Sequence, residues 1–245
     1  MSSVKSLLLT AVLPASLGLA QSFPTTGALQ GSVTGPQGVA LPGAVVRYLS
    51  LSPSTAPTAW PGGRPGPGVV SGSVAADSDG KFALTGLPAA AHLLCASVPN
   101  APYLDPCVWG QAIPATVPAG ATATVGIILT KGVYLNVRVN DPMGLLPQAL
   151  DGPWTPRKLV VGVAYGAGAY QGAQTTSVDP AGRNYQLIIP CGMPFSLWLY
   201  STDVALADAS GAAVASPAGG VSFQAASGQD QNFTFTVTGP ASHAQ

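Results

Sequence analysis

Residues 77–88 run Asp-Ser-Asp-Gly-Lys-Phe-Ala-Leu-Thr-Gly-Leu-Pro, and this stretch decides the fold of the first half of the chain. Asp and Gly tolerate the positive φ angles that tight turns between strands require. Phe82 and Leu84 are separated by one residue, so they point to the same face of an extended strand. The stretch therefore predicts a hairpin turn followed by a strand with one buried, apolar face.

Further short strands surround this stretch on both sides. Turn residues recur about every ten positions, which is typical of a β-sandwich. No window shows apolar residues at the spacing of an amphipathic helix over three turns. The strands predicted in the first half cover residues 27–33, 44–49, 69–75, 81–85, 92–98 and 121–130.

The pattern starts again at residue 133. Gly80 precedes Leu84 in the first half and Gly182 precedes Leu187 in the second, with the two glycines 102 positions apart. A repeat of that length matches one sandwich domain, although identity between the halves is weak. The strands predicted in the second half cover residues 133–139, 159–165, 185–190, 195–200 and 233–237.

We therefore predict an all-β protein with two tandem Greek-key β-sandwich domains of the prealbumin or immunoglobulin type. The predicted divisions are a signal peptide at 1–20, a first domain at 21–131 and a second domain at 132–245. One large sandwich is the alternative, because a chain of 245 residues can form a single all-β domain.

Two motifs in the first half point to a known family. Residues 31–38 run Gly-Ser-Val-Thr-Gly-Pro-Gln-Gly, and residues 41–46 continue with Leu-Pro-Gly-Ala-Val-Val. Together with residues 77–88, this pattern resembles the carboxypeptidase regulatory-like family over roughly residues 27–131. The resemblance implies a transthyretin-like, prealbumin-type Greek-key sandwich and a non-catalytic extracellular module. The usual Gly-x-Tyr continuation is replaced by Ala-Ala-Ala-His at residues 89–92.

The first twenty residues have the layout of a secretory signal peptide. Lys5 supplies the positive charge, residues 7–19 are mostly Leu and Ala, and small residues precede a cleavage point after Ala20. The alternative is a membrane anchor, but the apolar run is shorter than the ~20 residues that a spanning helix needs. We therefore expect a secreted or periplasmic protein without a membrane span.

The composition argues against several kinds of partner. Charged residues make up 7% of the chain, basic and acidic residues number nine each, and glutamate is absent. Nucleic-acid binding requires a basic surface, and binding to anionic lipids requires a cluster of Lys or Arg. We therefore expect no nucleic-acid partner. The remaining partners are a polysaccharide, another exported protein or a second copy of the chain.

Three cysteines are present, and an exported protein meets an oxidising compartment. We predict a disulfide between Cys95 and Cys107, which leaves Cys191 as a buried, inert thiol. A catalytic Cys–His pair is not expected, because His92 and Cys95 would point to opposite faces of one strand and His243 lies near the terminus.

We predict no catalytic residue, metal site or cofactor. Transition-metal sites lack His and Cys ligands. Residues 77–80 begin like a calcium loop, but the bidentate Glu that completes such a loop is missing.

Three functions remain open on the sequence. The first is a secreted, non-catalytic structural or interaction module. The second is a carbohydrate-binding accessory module, with Trp60 and Trp154 stacking on sugar rings. Clustering of further aromatics on one exposed edge would favour this second function; those aromatics are Tyr48, Tyr103, Tyr165 and Tyr170. The third and least favoured is a hydrolase, which would need convergent acids in a cleft.

Overall fold

The computed structural model describes residues 26–51, 71–110, 112–147, 159–166, 168–214 and 220–241. These residues form an all-β structure with one short 3-10 turn, Pro36–Gly38. No helix in these ranges is both long and apolar enough to cross a bilayer. Two β-sandwiches follow one another along the chain, each with its own hydrophobic core.

The first sandwich contains two sheets that enclose one core. Its strands are β1 (Thr26–Thr34), β2 (Val45–Leu51), β3 (Ser71–Ala75), β4 (Lys81–Pro88), β5 (Ala91–Ser97), β6 (Ile113–Thr116) and β7 (Thr122–Ile128). One sheet has the order β4-β1-β7 and the other has the order β3-β2-β5-β6. Strand β1 is antiparallel to β4 and parallel to β7.

The second sandwich repeats this arrangement with additions. Its strands are β8 (Val133–Asn140), β9 (Val160–Tyr165), β10 (Ala169–Gly172), β11 (Gln174–Asp179), β12 (Gly182–Ile189), β13 (Pro194–Tyr200), β14 (Val204–Asp208), β15 (Ala213–Val214), β16 (Gly220–Gln224) and β17 (Gln231–Pro240). One sheet has the order β11-β12-β8-β17-β14-β15 and the other has the order β10-β9-β13-β16. Strand β8 is antiparallel to β12 and parallel to β17, as β1 is to β4 and β7.

The turn before β4 has the positive φ that the sequence predicts, but the predicted hairpin is wrong, because β3 and β4 belong to different sheets and do not pair. Gly80 has a φ of 72°, and a Cβ there would lie 2.7 Å from the carbonyl oxygen of Val33. Phe82 and Leu84 are both buried in the first core, as their spacing predicts. Gly182, which the sequence repeat matches to Gly80, also has a positive φ of 147°.

Each sandwich has a separate core, which decides between the two architectures considered from the sequence. The first core lies between Leu29 and Leu129 along the chain, and the second lies between Val133 and Val237. The alternative of one large sandwich is therefore wrong. Six short strands were not predicted from the sequence; they are β6, β10, β11, β14, β15 and β16.

Candidate functional site

A loop of the first sandwich is bonded to the outer face of a sheet. Cys95 lies on β5, where Leu94 and Ala96 point into the core, so its side chain points away from that core. A disulfide joins Cys95 to Cys107, with 5.4 Å between the Cα atoms and 12 positions between them in sequence. This is the pairing that the sequence predicts. The loop that carries Cys107 is therefore held against β5.

Asp105 holds the same loop through three kinds of contact. Its carboxylate forms an ion pair with Arg47, which lies opposite Cys95 on the neighbouring strand β2. Its Oδ1 accepts a hydrogen bond from the Cys107 amide at 2.9 Å. Its carbonyl oxygen accepts bonds from the amides of Val108 at 3.0 Å and Trp109 at 3.2 Å. The resulting turn fixes the backbone position of Trp109.

Burial dominates the electrostatics of Asp105. Its side chain is only 12% exposed, and this burial raises the pKa of the carboxyl above its ordinary value. The Cys107 amide and the Arg47 guanidinium lower the pKa and offset part of that rise. Asp105 is thus committed to its structural partners, and no second carboxylate is available beside it in the part of this cleft that the structure describes.

Trp109 extends from this loop into the second sandwich. Its indole nitrogen donates a hydrogen bond to the carbonyl oxygen of Ile188 at 3.2 Å. Its ring lies 5.2 Å from that of Tyr165 and 6.2 Å from that of Phe195, measured between centroids. The sequence places Trp109 in or near a core, and the structure places it between the two sandwiches. One side chain of the first sandwich therefore packs against the core of the second.

The connection between the sandwiches is bonded to the same loop. The Leu104 amide donates to the Thr130 carbonyl at 2.9 Å, and the Gly132 amide donates to the Pro102 carbonyl at 2.6 Å. A Cβ at Gly132 would lie 2.5 Å from the Ile189 carbonyl oxygen, so only glycine fits there without displacement. The connecting residues are therefore held on both sides and do not act as a free linker.

A cleft of about 380 Å³ lies where the two sandwiches meet. Arg47 and Asp105 line it from the first sandwich, and Trp109 forms part of its wall. The second sandwich contributes amide and hydroxyl groups from Gln171, Gln174, Thr176 and Gln186. Amide side chains both donate and accept hydrogen bonds, so this lining suits a neutral polar chain or the edge of another protein.

A polar face continues from this cleft over the outer surface of the β12-β8-β17 sheet. Gln186 donates to the Asn136 amide oxygen at 2.9 Å, and Asn136 donates to Asn232 at 3.1 Å. Arg138 makes a two-pronged pair with Asp179 at 2.6 and 2.9 Å. These hydrogen bonds hold the pKa of Asp179 at about 2. These polar groups therefore satisfy one another across the sheet.

His92 is a structural residue of the first core. It is fully buried; Nδ1 lies 3.0 Å from the Ser50 hydroxyl and Nε2 lies 3.0 Å from the Pro88 carbonyl oxygen. Because a carbonyl only accepts, Nε2 carries a proton. Both ring nitrogens are thus occupied. Since Cys95 is in a disulfide and faces the other side of β5, these two residues form no catalytic pair.

Potential metal ligands are already committed to other contacts. Among the described residues, Cys95, Asp105 and Cys107 lie close enough to share an ion, but both sulfurs belong to the disulfide. Asp77 Oδ1 accepts bonds from the amides of Asp79 at 2.9 Å and Lys81 at 2.8 Å. The calcium-like stretch is therefore arranged as a side-chain-capped turn.

The predicted sugar-binding tryptophans, Trp60 and Trp154, lie outside the described residues. The tyrosines named with them do not form one exposed edge. Tyr48 and Tyr103 pack against the first core, and Tyr165 packs against the second. Tyr170 is 42% exposed. This scatter counts against the carbohydrate-binding prediction by the criterion set from the sequence.

Sequence reasoning missed Arg47 and Asp105. The only local signal was the run Asp-Pro-Cys at residues 105–107, where Asp can cap the turn that follows it. Arg47 has no signal of its own, because its role depends on lying opposite Cys95 across two strands.

No protein-family model matches the chain, and no curated protein matches it. Solved structures give similar folds at low identity. A streptococcal ancillary pilin has a TM-score of 0.41 and 14% identity, covering 87% of this chain and 62% of that one. The Bacillus anthracis TIE protein has a TM-score of 0.34 and 13% identity, covering 87% of this chain and 34% of that one.

The shaft pilin spaA from Lactobacillus rhamnosus GG has a TM-score of 0.32 and 10% identity, covering 90% of this chain and 100% of that one. The chain thus spans about a third of the TIE protein and 62% of the ancillary pilin.

Proposed function

We propose that this chain is an exported, non-catalytic protein that acts as a stiff structural or interaction module of the cell exterior. In this proposal residues 1–20 direct export, and residues 21–131 and 132–245 form the two domains. The observation that carries the proposal is the joint: Trp109 of the first sandwich packs into the second core, and its loop is closed by the Cys95–Cys107 disulfide.

The disulfide supports a location outside the cytoplasm. Such bonds persist in oxidising surroundings and are rare where glutathione keeps thiols reduced. Closing a loop this short stabilises a fold by about 3 kcal/mol in the chain-entropy model. A secreted or periplasmic location is therefore part of the proposal. Membership of the first sandwich in the carboxypeptidase regulatory-like family is also proposed, on its motifs and its prealbumin-like strand order.

The arrangement of the described side chains supports a non-catalytic role. His92 has both nitrogens bonded, and Asp105 is paired with Arg47. Hydrolysis of a glycosidic bond needs two carboxyl groups facing one substrate. In the part of the chain that the structure describes, the cleft between the sandwiches offers one, Asp105. The cleft is better suited to holding a polar surface than to cleaving it.

Rotational tumbling tests the stiff joint. Residues 21–245 are labelled with ¹⁵N, and backbone relaxation gives a rotational correlation time for each sandwich. We expect one shared value in the wild type and two different values in Trp109→Ala, because that change removes the contacts with Tyr165, Phe195 and Ile188. Trp198→Ala is the matched control, since Trp198 lies on β13 outside the cleft lining. Two independent correlation times in the wild type would contradict the proposal.

Export is tested separately. The full chain is expressed in a bacterial host with its own first twenty residues, and the N-terminus of the protein recovered outside the cytoplasm is sequenced. We expect it to begin at Gln21. Retention of the intact chain in the cytoplasm would contradict the proposed location.

A further inference from the structure

Strand β7 has one side that no strand of the described chain covers. It lies at the end of the order β4-β1-β7, and β1 pairs with it on the other side only. Ala28 donates to the Ala121 carbonyl at 3.0 Å, and the Leu129 amide donates to the Thr34 carbonyl at 2.8 Å. Odd-numbered residues therefore face β1.

Because backbone groups alternate along a strand, the even-numbered residues of β7 direct their N–H and C=O groups outward. These residues are Thr122, Thr124, Gly126 and Ile128. Ile128 is 74% exposed, and a Cβ on Gly126 would meet no atom within 4 Å. Beyond the strand, the Leu104 amide bonds to Thr130. The open length is therefore β7 itself.

The second sandwich shows what binds at this position. Its last strand, β17, lies beside β8 as β7 lies beside β1. Strand β14 pairs antiparallel with β17, from Asp208 opposite Phe235 to Val204 opposite Pro240. The same edge thus accepts an antiparallel strand within this protein. In the first sandwich no described segment occupies it.

Three other sheet edges carry features that discourage pairing. Strand β6 contains Pro114, β11 has a bulge between Thr175 and Ser177, and β15 has only two residues. Proteins use proline, bulges and short strands to prevent edge-to-edge association. Strand β7 runs Thr-Ala-Thr-Val-Gly-Ile-Ile, without proline, charge or bulge. It is therefore an edge that is suited to accept a strand.

We propose that β7 pairs antiparallel with β7 of a second copy of this chain, about a two-fold axis at Val125. This register places Thr122 opposite Ile128 of the second copy and Thr124 opposite its Gly126. The outward groups of both strands then bond to each other and join two three-stranded sheets into one. The proposal deepens the structural role proposed above by naming the partner.

A second copy is favoured as the occupant by charge and symmetry. The strand carries no charge, and residues 21–245 carry eight basic and nine acidic residues, a formal net charge of −1, so little repulsion opposes the approach of two copies. A two-fold axis makes one open edge satisfy another identical one, which leaves neither unpaired. A strand from a different protein would also pair here, and the experiment separates the two cases.

Sedimentation equilibrium of residues 21–245 tests the proposal over a range of concentrations. We expect a reversible dimer, and we expect Ile128→Lys to raise its dissociation constant by about tenfold or more, since the symmetry introduces the charge twice. Val39→Lys is the matched control: Val39 is 60% exposed and lies outside β7, so the dimer should be unchanged.

Hydrogen exchange supplies a signature of strand pairing. The amides of Thr122, Thr124, Gly126 and Ile128 should be protected in concentrated protein and should exchange freely on dilution. Thr124→Pro removes one outward N–H and none that faces β1, so it should abolish the dimer; retained exchange protection in β1 would show that the sandwich is folded.

A wild type that stays monomeric at millimolar concentration would overturn the proposal, even if it acquired a foreign strand at β7. So would a dimer that survives both Ile128→Lys and Thr124→Pro. Neither result would affect the stiff joint, because the shared tumbling of the two sandwiches is measured within one chain.

Discussion

The two sandwiches share a strand order but differ at the strand that ends each of them. In the second, β14 and β15 form a hairpin that extends the sheet beyond β17. In the first, β7 is the last strand of its sheet in the described chain. The difference depends on an insertion between β13 and β16. The inserted hairpin closes the edge and also adds Val204 and Leu206 to the second core.

The sandwiches also differ in what holds them together. The first adds the Cys95–Cys107 disulfide to its core, whereas the second adds a group of packed aromatic rings to its own. Phe223 lies 5.6 Å from Phe195 and 5.1 Å from Phe233, measured between ring centroids. The disulfide can be removed by replacing its two cysteines, whereas the ring cluster is weakened by truncating one aromatic side chain, so the two sandwiches can be tested separately.

The largest effect is expected from the second core. Phe235 is buried on β17, and Phe235→Ala should lower the free energy of unfolding of the second sandwich by about 3–5 kcal/mol, through lost burial and a cavity. Residue-resolved hydrogen exchange in increasing urea measures each sandwich separately. Phe82→Ala should do the same to the first sandwich only. Equal losses in both sandwiches from either change would refute the picture of two separate cores.

Removing the disulfide should act on the first sandwich alone. The double change Cys95→Ser and Cys107→Ser should destabilise it by about 3 kcal/mol, because the loop regains its freedom in the unfolded chain. Urea unfolding followed by exchange of β5 amides measures the loss. Cys191→Ser is the control, since Cys191 is a free cysteine at the second core. Unchanged exchange of the β5 amides would mean that Asp105 and Arg47 hold the loop without the disulfide.

Two aspartates that cap turns allow a smaller comparison. Asp141 is buried and accepts bonds from the amides of Leu145 at 3.1 Å and Leu146 at 2.7 Å. Asp77 accepts two such bonds in an exposed turn. Asp141→Ala should lower the free energy of unfolding by about 1.5–3 kcal/mol, because buried amides lose their hydrogen-bond acceptor. Asp77→Ala should lower it by less. Chemical denaturation of both variants decides the order, and a larger loss for Asp77→Ala would contradict it.

The smallest effect is a dependence on pH that has opposite signs in the two sandwiches. Arg138 lowers the pKa of Asp179 from 3.8 to about 2. The contribution of Asp179 to the stability of the second sandwich is therefore present above pH 3.8 and is lost as pH falls towards 2. Burial raises the pKa of Asp105. The contribution of Asp105 to the stability of the first sandwich is therefore present below pH 3.8 and is lost as pH rises through the raised pKa. Carboxyl ¹³C shifts during titration measure both pKa values. A raised pKa for Asp179 or a lowered pKa for Asp105 would contradict the predicted signs of the pH dependence.

Strands with strong alternation could be predicted from the sequence. Val133 to Asn140 alternates between buried and half-buried side chains along its whole length, and the turn at Gly80 was visible from residue types alone. The disulfide followed from the count and spacing of three cysteines. These features depend on neighbours along the chain, which a sequence displays directly.

The remaining features depend on residues that are distant in sequence. Strand β14 contains Ala205 and Ala207 and has no β-branched alternation, and it is held by its pairing with β17. The cleft combines Arg47 with Gln186, which no spacing rule connects. Trp109 could be predicted to lie in or near a core, but the sequence did not show that it packs against the core of the second sandwich. The site at the joint is therefore a product of tertiary packing.

The parallel pairing of first and last strands has a mechanical consequence. β1 lies parallel to β7 over seven residue pairs and β8 lies parallel to β17 over six. A tensile force applied to the two ends of a sandwich pulls such neighbours in opposite directions along their length. All the hydrogen bonds between them are then loaded in shear at the same moment, and none can open ahead of the rest. Each sandwich is thus arranged to resist stretching along the direction in which the chain runs.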